Sequence, residues 1–152
     1  MINQYYPFSE TQNYTRFFFD SKGQNGEITK GVVFSVDVYG FWNLGFGDLV
    51  DGELNDSVIS NNHDVLMVIG TVAKIIYIFF AHYPDAEILI RPVDEKRKRL
   101  YNIVFQRHFD EISPIFEIIG IRDTIFEPYS VERNYNLFII NLDKNDDKNI
   151  AF

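Results

Sequence analysis

In the stretch ITKGVVFSVDV, Ile28, Val32, Phe34, Val36 and Val38 fall on one side of an extended chain, and Thr29, Val33, Ser35 and Asp37 on the other. A period of two is the mark of a strand with one face on a core. Before it, YTRFFFDS (14–21) is aromatic and extended, and SKGQNGE supplies the glycine and asparagine of a hairpin turn, so two strands follow one another. Gly40 then turns the chain into FWNLGFGDL, and the three segments predict an antiparallel meander. VDGELNDSVISNN is polar and rich in turn formers, and reads as a loop.

The pattern changes at VLMVIGTVAKIIYIFFA, Val65 to Ala81, which predicts a long helix running to about Tyr83, where Pro84 stops it. A membrane span needs about 20 largely apolar residues. Here Gly70, Thr71 and Lys74 interrupt the run, and His63, Asp64, His82 and Asp85 crowd its ends. The segment therefore reads as a helix buried on most sides in a soluble core, with Leu66, Ile69, Val72, Ala73, Ile76 and Phe80 inward. AEILI (86–90) is a short apolar run suited to a central strand covered on both faces. Asp94 is placed to cap a second helix from about Glu95 to Ile112, whose stripe of Arg97, Tyr101, Val104, Phe105, His108 and Ile112 includes two basic residues. IFEIIGI suggests a short helical turn, DTIFEPY a fifth strand and NYNLFIINL a sixth. The expectation is an α+β fold with a mainly antiparallel sheet of about six strands and two principal helices, in the order βββαβαββ. Residues 1–142 form a single domain, and 143–152 a charged, frayed tail.

Composition sharpens this picture. The chain has 152 residues, 46% hydrophobic and 16% aromatic, enough to fold on its own core. It has no cysteine, so disulfides, zinc–thiolate sites and a cysteine nucleophile are excluded. The N-terminus MINQYYPFSETQNY lacks the basic and apolar regions of a secretory signal, and a cytoplasmic protein with no membrane association is expected. With 22 acidic against 14 basic residues, and a net charge of −8, the chain is unsuited to broad nucleic-acid binding.

The charge is uneven, however. RPVDEKRKRLY sets Lys96, Arg97, Lys98 and Arg99 at the start of the second helix, where the helix dipole disfavours cations. Either they meet an anion, such as a phosphate or a partner's carboxylate, or Asp94, Glu95, Asp110 and Glu111 neutralise them on a solvated face. Arg97, Arg99 and Tyr101 are better suited to the task than Lys96 and Lys98, because a guanidinium holds an oxyanion in two hydrogen bonds. Arg97 lies on the apolar stripe and so requires an anion, and Asp64 is its first internal candidate. SNNHD offers Asn61 and Asn62 as ligand-orienting groups and His63 beside Asp64 as a base, although the same residues suit ordinary helix entry. Gly45 and Gly47 in NLGFGDL suggest a close approach of backbone or ligand, or a bulge. No spacing singles out a Ser-His-Asp set from Ser60, His63 or His108, and neither a metal nor a cofactor is expected.

The combination of NLGFGD (43–48), SNNHD (60–64), YPD (83–85) and RLY (99–101) resembles an uncharacterised family of small bacterial proteins, common in Bacteroidetes, over nearly the whole chain. The resemblance groups Asn61, Asn62, Asp64, Arg99 and Tyr101 as one candidate site. Where that family carries a Gly-Ser-Thr-like turn, this chain has Arg91, Pro92 and Val93. The element order is also similar to the latter part of acetyl-CoA-dependent N-acyltransferases, which would make Tyr101 a general acid. Two functions follow. One is an interaction protein of a bacterial defence or toxin-antitoxin pair, binding a protein or phosphate-bearing partner. The alternative is an acyltransferase-like or other small-ligand enzyme.

Overall fold

A computed structural model describes residues 4–11, 13–55 and 62–142. The elements are β1 (Phe8–Thr11), β2 (Arg16–Gly23), β3 (Gly26–Val36), β4 (Trp42–Val50), β5 (Glu53–Asn55), α1 (Val65–His82), β6 (Ile88–Ile90), α2 (Glu95–Ile112), β7 (Phe116–Arg122), β8 (Ile125–Pro128) and β9 (Leu137–Leu142). The fold is α+β with two helices and a mostly antiparallel sheet. Among the described residues that sheet has nine strands, not about six, hydrogen-bonded in the order β1-β2-β3-β4-β6-β9-β7-β8, with β5 on β4. The expected order βββαβαββ is replaced by βββββαβαβββ.

Three strands account for the difference. β1 is a short edge strand held by Phe8, whose ring meets Phe17 edge-on. β5 lies in the stretch expected to be loop. Asp51 and Gly52 have φ of 52° and 79° and close a two-residue hairpin, a geometry Asp-Gly favours. β7 was expected as a helical turn, but Phe116, Ile118 and Gly120 are buried at a period of two. A Cβ on Gly120 would overlap the ring of Tyr135, so the glycine lets that ring lie flat on the strand.

The chain divides into two compact units, Met1–Ser35 with Leu44–His82, and Val36–Asn43 with Tyr83–Phe152. In the first, α1 packs on the face of β2 and β3 that carries Phe17, Phe19, Val32 and Phe34, and Phe79 stacks on Phe34 with centroids 4.0 Å apart. Its buried residues are Gly70, Thr71, Ile75, Ile76, Phe79 and Phe80. Of the six expected inward, only Ile76 and Phe80 are buried, and Leu66 is exposed. The helix is apolar all round, so periodicity did not fix its face. Polar geometry does: Thr71 Oγ1 accepts from the Tyr6 amide at 2.9 Å while donating to the Met67 carbonyl at 2.6 Å. By length and composition α1 is able to cross a membrane, and 33% of that stretch is buried here.

In the second unit, β6 is buried throughout, as AEILI predicted. It runs parallel to the start of β4 (Trp42↔Ile88) and antiparallel to β9. Leu89, Ile121 and Ile139 form one core cluster, and α2 lays Phe105 on Phe138 at 4.4 Å. Tyr135 anchors the unit. Its backbone N–H donates to Asn102 Oδ1 and its carbonyl accepts from Asn102 Nδ2, so a buried asparagine on α2 takes the place of a strand neighbour. Its hydroxyl donates to Glu127, which also accepts from Arg122 and Arg133. Hydrogen bonds from Arg122, then Arg133 and Tyr135, pull the Glu127 carboxyl from its ordinary 4.5 down to about 2. A group with a depressed folded pKa contributes stability above its unfolded pKa and loses it on acidification. The urea midpoint is therefore expected to fall as pH drops from about 4.5 toward 2, with a shallower fall in Glu127→Gln. Identical acid profiles for the two proteins would refute this assignment.

Candidate functional site

α2 starts at Asp94, an N-cap in extended conformation (φ −154°, ψ 172°), as the sequence implied. One carboxylate oxygen accepts from the Arg97 amide at 2.8 Å and the other from Arg97 Nη1 at 2.6 Å. The two residues differ sharply in burial: Arg97 is 5% exposed, whereas the Asp94 side chain is 47% exposed. Arg97 Nε is buried and has no hydrogen-bond partner among the described residues. The anion expected for Arg97 was Asp64, but the carboxylate found on it is that of its own cap. One turn on, Tyr101 is half-buried. Burial raises its pKa, the nearby charge of Arg97 opposes that shift and Asp94 adds to it, so the hydroxyl keeps its proton at neutral pH. Arg91, Lys96 and Arg99 are exposed, and no ion pair to Lys96, Lys98 or Arg99 is seen among the described residues. His108 faces Glu111 at 3.6 Å.

The SNNHD stretch belongs to the first unit and does different work. Asn61 lies outside the described residues. Asn62 is fully buried, but it does not act as an α1 cap. Its Nδ2 donates to the Ser21 carbonyl, to Ser21 Oγ and to the Gly26 carbonyl, and its Oδ1 accepts from the Asn25 amide at 2.7 Å. Its own carbonyl accepts from Gln24 N, and a Cβ on Gly23 would overlap that oxygen. Asn62 thus pins the turn between β2 and β3 from inside. Asp64 Oδ2 accepts from the Tyr6 hydroxyl at 2.6 Å and from Ser21 Oγ at 2.5 Å, tying the N-terminal segment to the start of α1. His63 is exposed, with φ of 60°.

In the same unit Lys30 and Asp48, 2% and 5% exposed, form an ion pair of 2.7 Å, with Lys30 Nζ 5.8 Å from the Phe46 ring centre. Asp48 ends the NLGFGD stretch. A Cβ on Gly45 in that stretch would meet Leu54 of β5 at 3.4 Å, an ordinary van der Waals contact. Lys30 was not singled out in the sequence, although it stands between Ile28 and Val32 in the inward series of β3.

The candidate residues thus form two groups, each built within one unit: Asn62 and Asp64 in a hydrogen-bonded scaffold, and Arg97, Arg99 and Tyr101 on the first turns of α2. The first group has partners throughout and holds strands together. The second contains a buried cation with an unused donor. No curated protein and no solved structure matches the chain, and the observed element order is not the one on which the N-acyltransferase similarity rested. Residues 2–143 match the family of unknown function DUF6934, and the chain belongs to that family.

Proposed function

We propose that this chain is an interaction protein that takes an anionic group of its partner at the first turn of α2. The observation that carries this reading is Arg97, enclosed in the unit while its Nε lacks a hydrogen-bond partner among the described residues. A buried donor without an acceptor is unfavourable by about 1–3 kcal/mol, so its retention calls for a use. Backbone amides, Arg97, the protonated Tyr101 hydroxyl and the exposed Arg99 offer an oxyanion both donors and positive potential. The half-exposed Asp94 carboxylate occupies Nη1 until that anion arrives. A cytoplasmic defence or toxin-antitoxin setting is part of this reading, and a small gene overlapping this one would support it.

Arg97→Met separates binding from folding. The cap contact to the Arg97 amide survives the change, and Asp94 is exposed enough for water to solvate its charge. The variant is expected to unfold within about 1 kcal/mol of wild type. A ligand bound to the native state alone raises stability with its concentration. Inorganic phosphate should therefore raise the melting temperature of wild type, less so of Arg99→Met, and leave Arg97→Met unmoved. Equal responses in all three proteins would sink the proposal.

A further inference from the structure

The Asp94 carboxylate meets Arg97 twice, and the two contacts differ in what they require. Oδ1 accepts from the Arg97 amide at 2.8 Å, the work of an N-cap, which asparagine or serine performs as well. Oδ2 accepts from Nη1 at 2.6 Å, and there the negative charge matters. Because the capping bond fixes the side chain, Oδ2 is presented to the guanidinium as a tethered anion, at an effective concentration on the order of millimolar or above. An anion arriving from solution meets this competitor first. It also meets like charge, since two anions at one guanidinium repel each other.

We infer that Asp94 is a resident competitor that closes this site to carboxylates and leaves it open to phosphate groups. The inference rests on the reading of Arg97 as an anion-binding residue, and names the class of anion. A free carboxylate offers Nη1 only what Oδ2 already offers, and it loses translational freedom on binding, so it does not displace the tethered group. A phosphate monoester brings close to two charges and three acceptor oxygens. While one oxygen takes Nη1, the others serve Nε, which has no partner among the described residues, and the exposed Arg99. These are contacts that Asp94 does not make. Its side chain is 47% exposed, so the displaced carboxylate returns to water rather than being buried.

The test titrates the full chain at constant ionic strength and about pH 8, where a phosphate is mostly dianionic, following the melting temperature and the Arg97 amide resonance. The probes are inorganic phosphate, N-acetyl-phosphoserine amide and acetate. Asp94→Asn keeps the cap and removes the competitor, and Asp94→Ser does the same with a different side chain. Glu95→Gln is the control, because it removes a neighbouring exposed carboxylate that forms no ion pair with Arg97 among the described residues. Wild type should bind a phosphate probe saturably and acetate not at all. Both Asp94 variants should bind phosphate about tenfold or more tightly, the worth of one charge-assisted hydrogen bond, and should now bind acetate. Glu95→Gln should stay within about twofold of wild type. Tighter binding of the phosphoserine derivative than of inorganic phosphate assigns the site to an esterified side chain, and the reverse order to the free ion. Equal phosphate affinity in wild type and the Asp94 variants, an equal gain in Glu95→Gln, or acetate bound by wild type as tightly as phosphate overturns the competitor role and leaves the Arg97 reading standing. No saturable binding of any probe by any of the proteins overturns both.

Discussion

Replacing Lys30 by Met is expected to lower folding stability by about 3–5 kcal/mol, because removing one member of a buried ion pair leaves the other charge enclosed without its counterion. Both side chains are all but inaccessible to water, and Nζ lies 2.7 Å from the Asp48 carboxylate. Asp48→Asn should cost a similar amount for the converse reason. The double replacement Lys30→Met/Asp48→Leu should recover most of it, since a buried ion pair exchanged for apolar groups of similar size is often neutral. Urea unfolding of the two single variants and the double gives the coupling directly. Single variants within about 1 kcal/mol of wild type would mean that water reaches the pair.

Asn62→Ala carries the second large effect. Four hydrogen bonds from one buried side chain hold Ser21, Asn25 and Gly26, and truncation removes them all. At about 1 kcal/mol per lost hydrogen bond, the expected cost is about 2–4 kcal/mol. The damage should be local as well as global. Amide exchange of Gln24 and Asn25, which donate to the backbone oxygen and side chain of Asn62, should accelerate more than that of the α2 amides. A uniform change across both units would contradict a scaffold role confined to the β2–β3 turn.

The second helix was legible almost to the residue, because Asp94 provides a cap that fixes its start. The end of α1 was legible from Pro84, while its buried face was not, since an all-round apolar helix carries no phase. β5 announced itself in Asp51-Gly52, a hairpin signal outweighed by the polar character of the surrounding stretch. Lys30 was readable too: the inward series of β3 runs through it, and a lysine at an inward position requires an anion. Asn102 was not, because its partner is the backbone of Tyr135, 33 residues away, and no spacing rule reaches that far. For Arg97, the apolar stripe correctly implied burial and a carboxylate. The nearest one, three residues back at the cap, was passed over for Asp64. The grouping of Asn62 and Asp64 with Arg99 and Tyr101 came from family resemblance, and only the geometry separates the residues with a full set of hydrogen bonds from the turn with an unused donor.

The most direct measurement is an NMR titration of the full chain with inorganic phosphate, following the Arg97 Nε–H resonance and the amides of the first turns of α2. Binding at this turn predicts a saturable shift of Arg97 Nε–H together with the Arg97 and Tyr101 amides, absent in Arg97→Met. An unmoved Arg97 Nε–H, or weak non-saturating shifts shared by every exposed cation, would show that Asp94 alone answers the charge of this helix start.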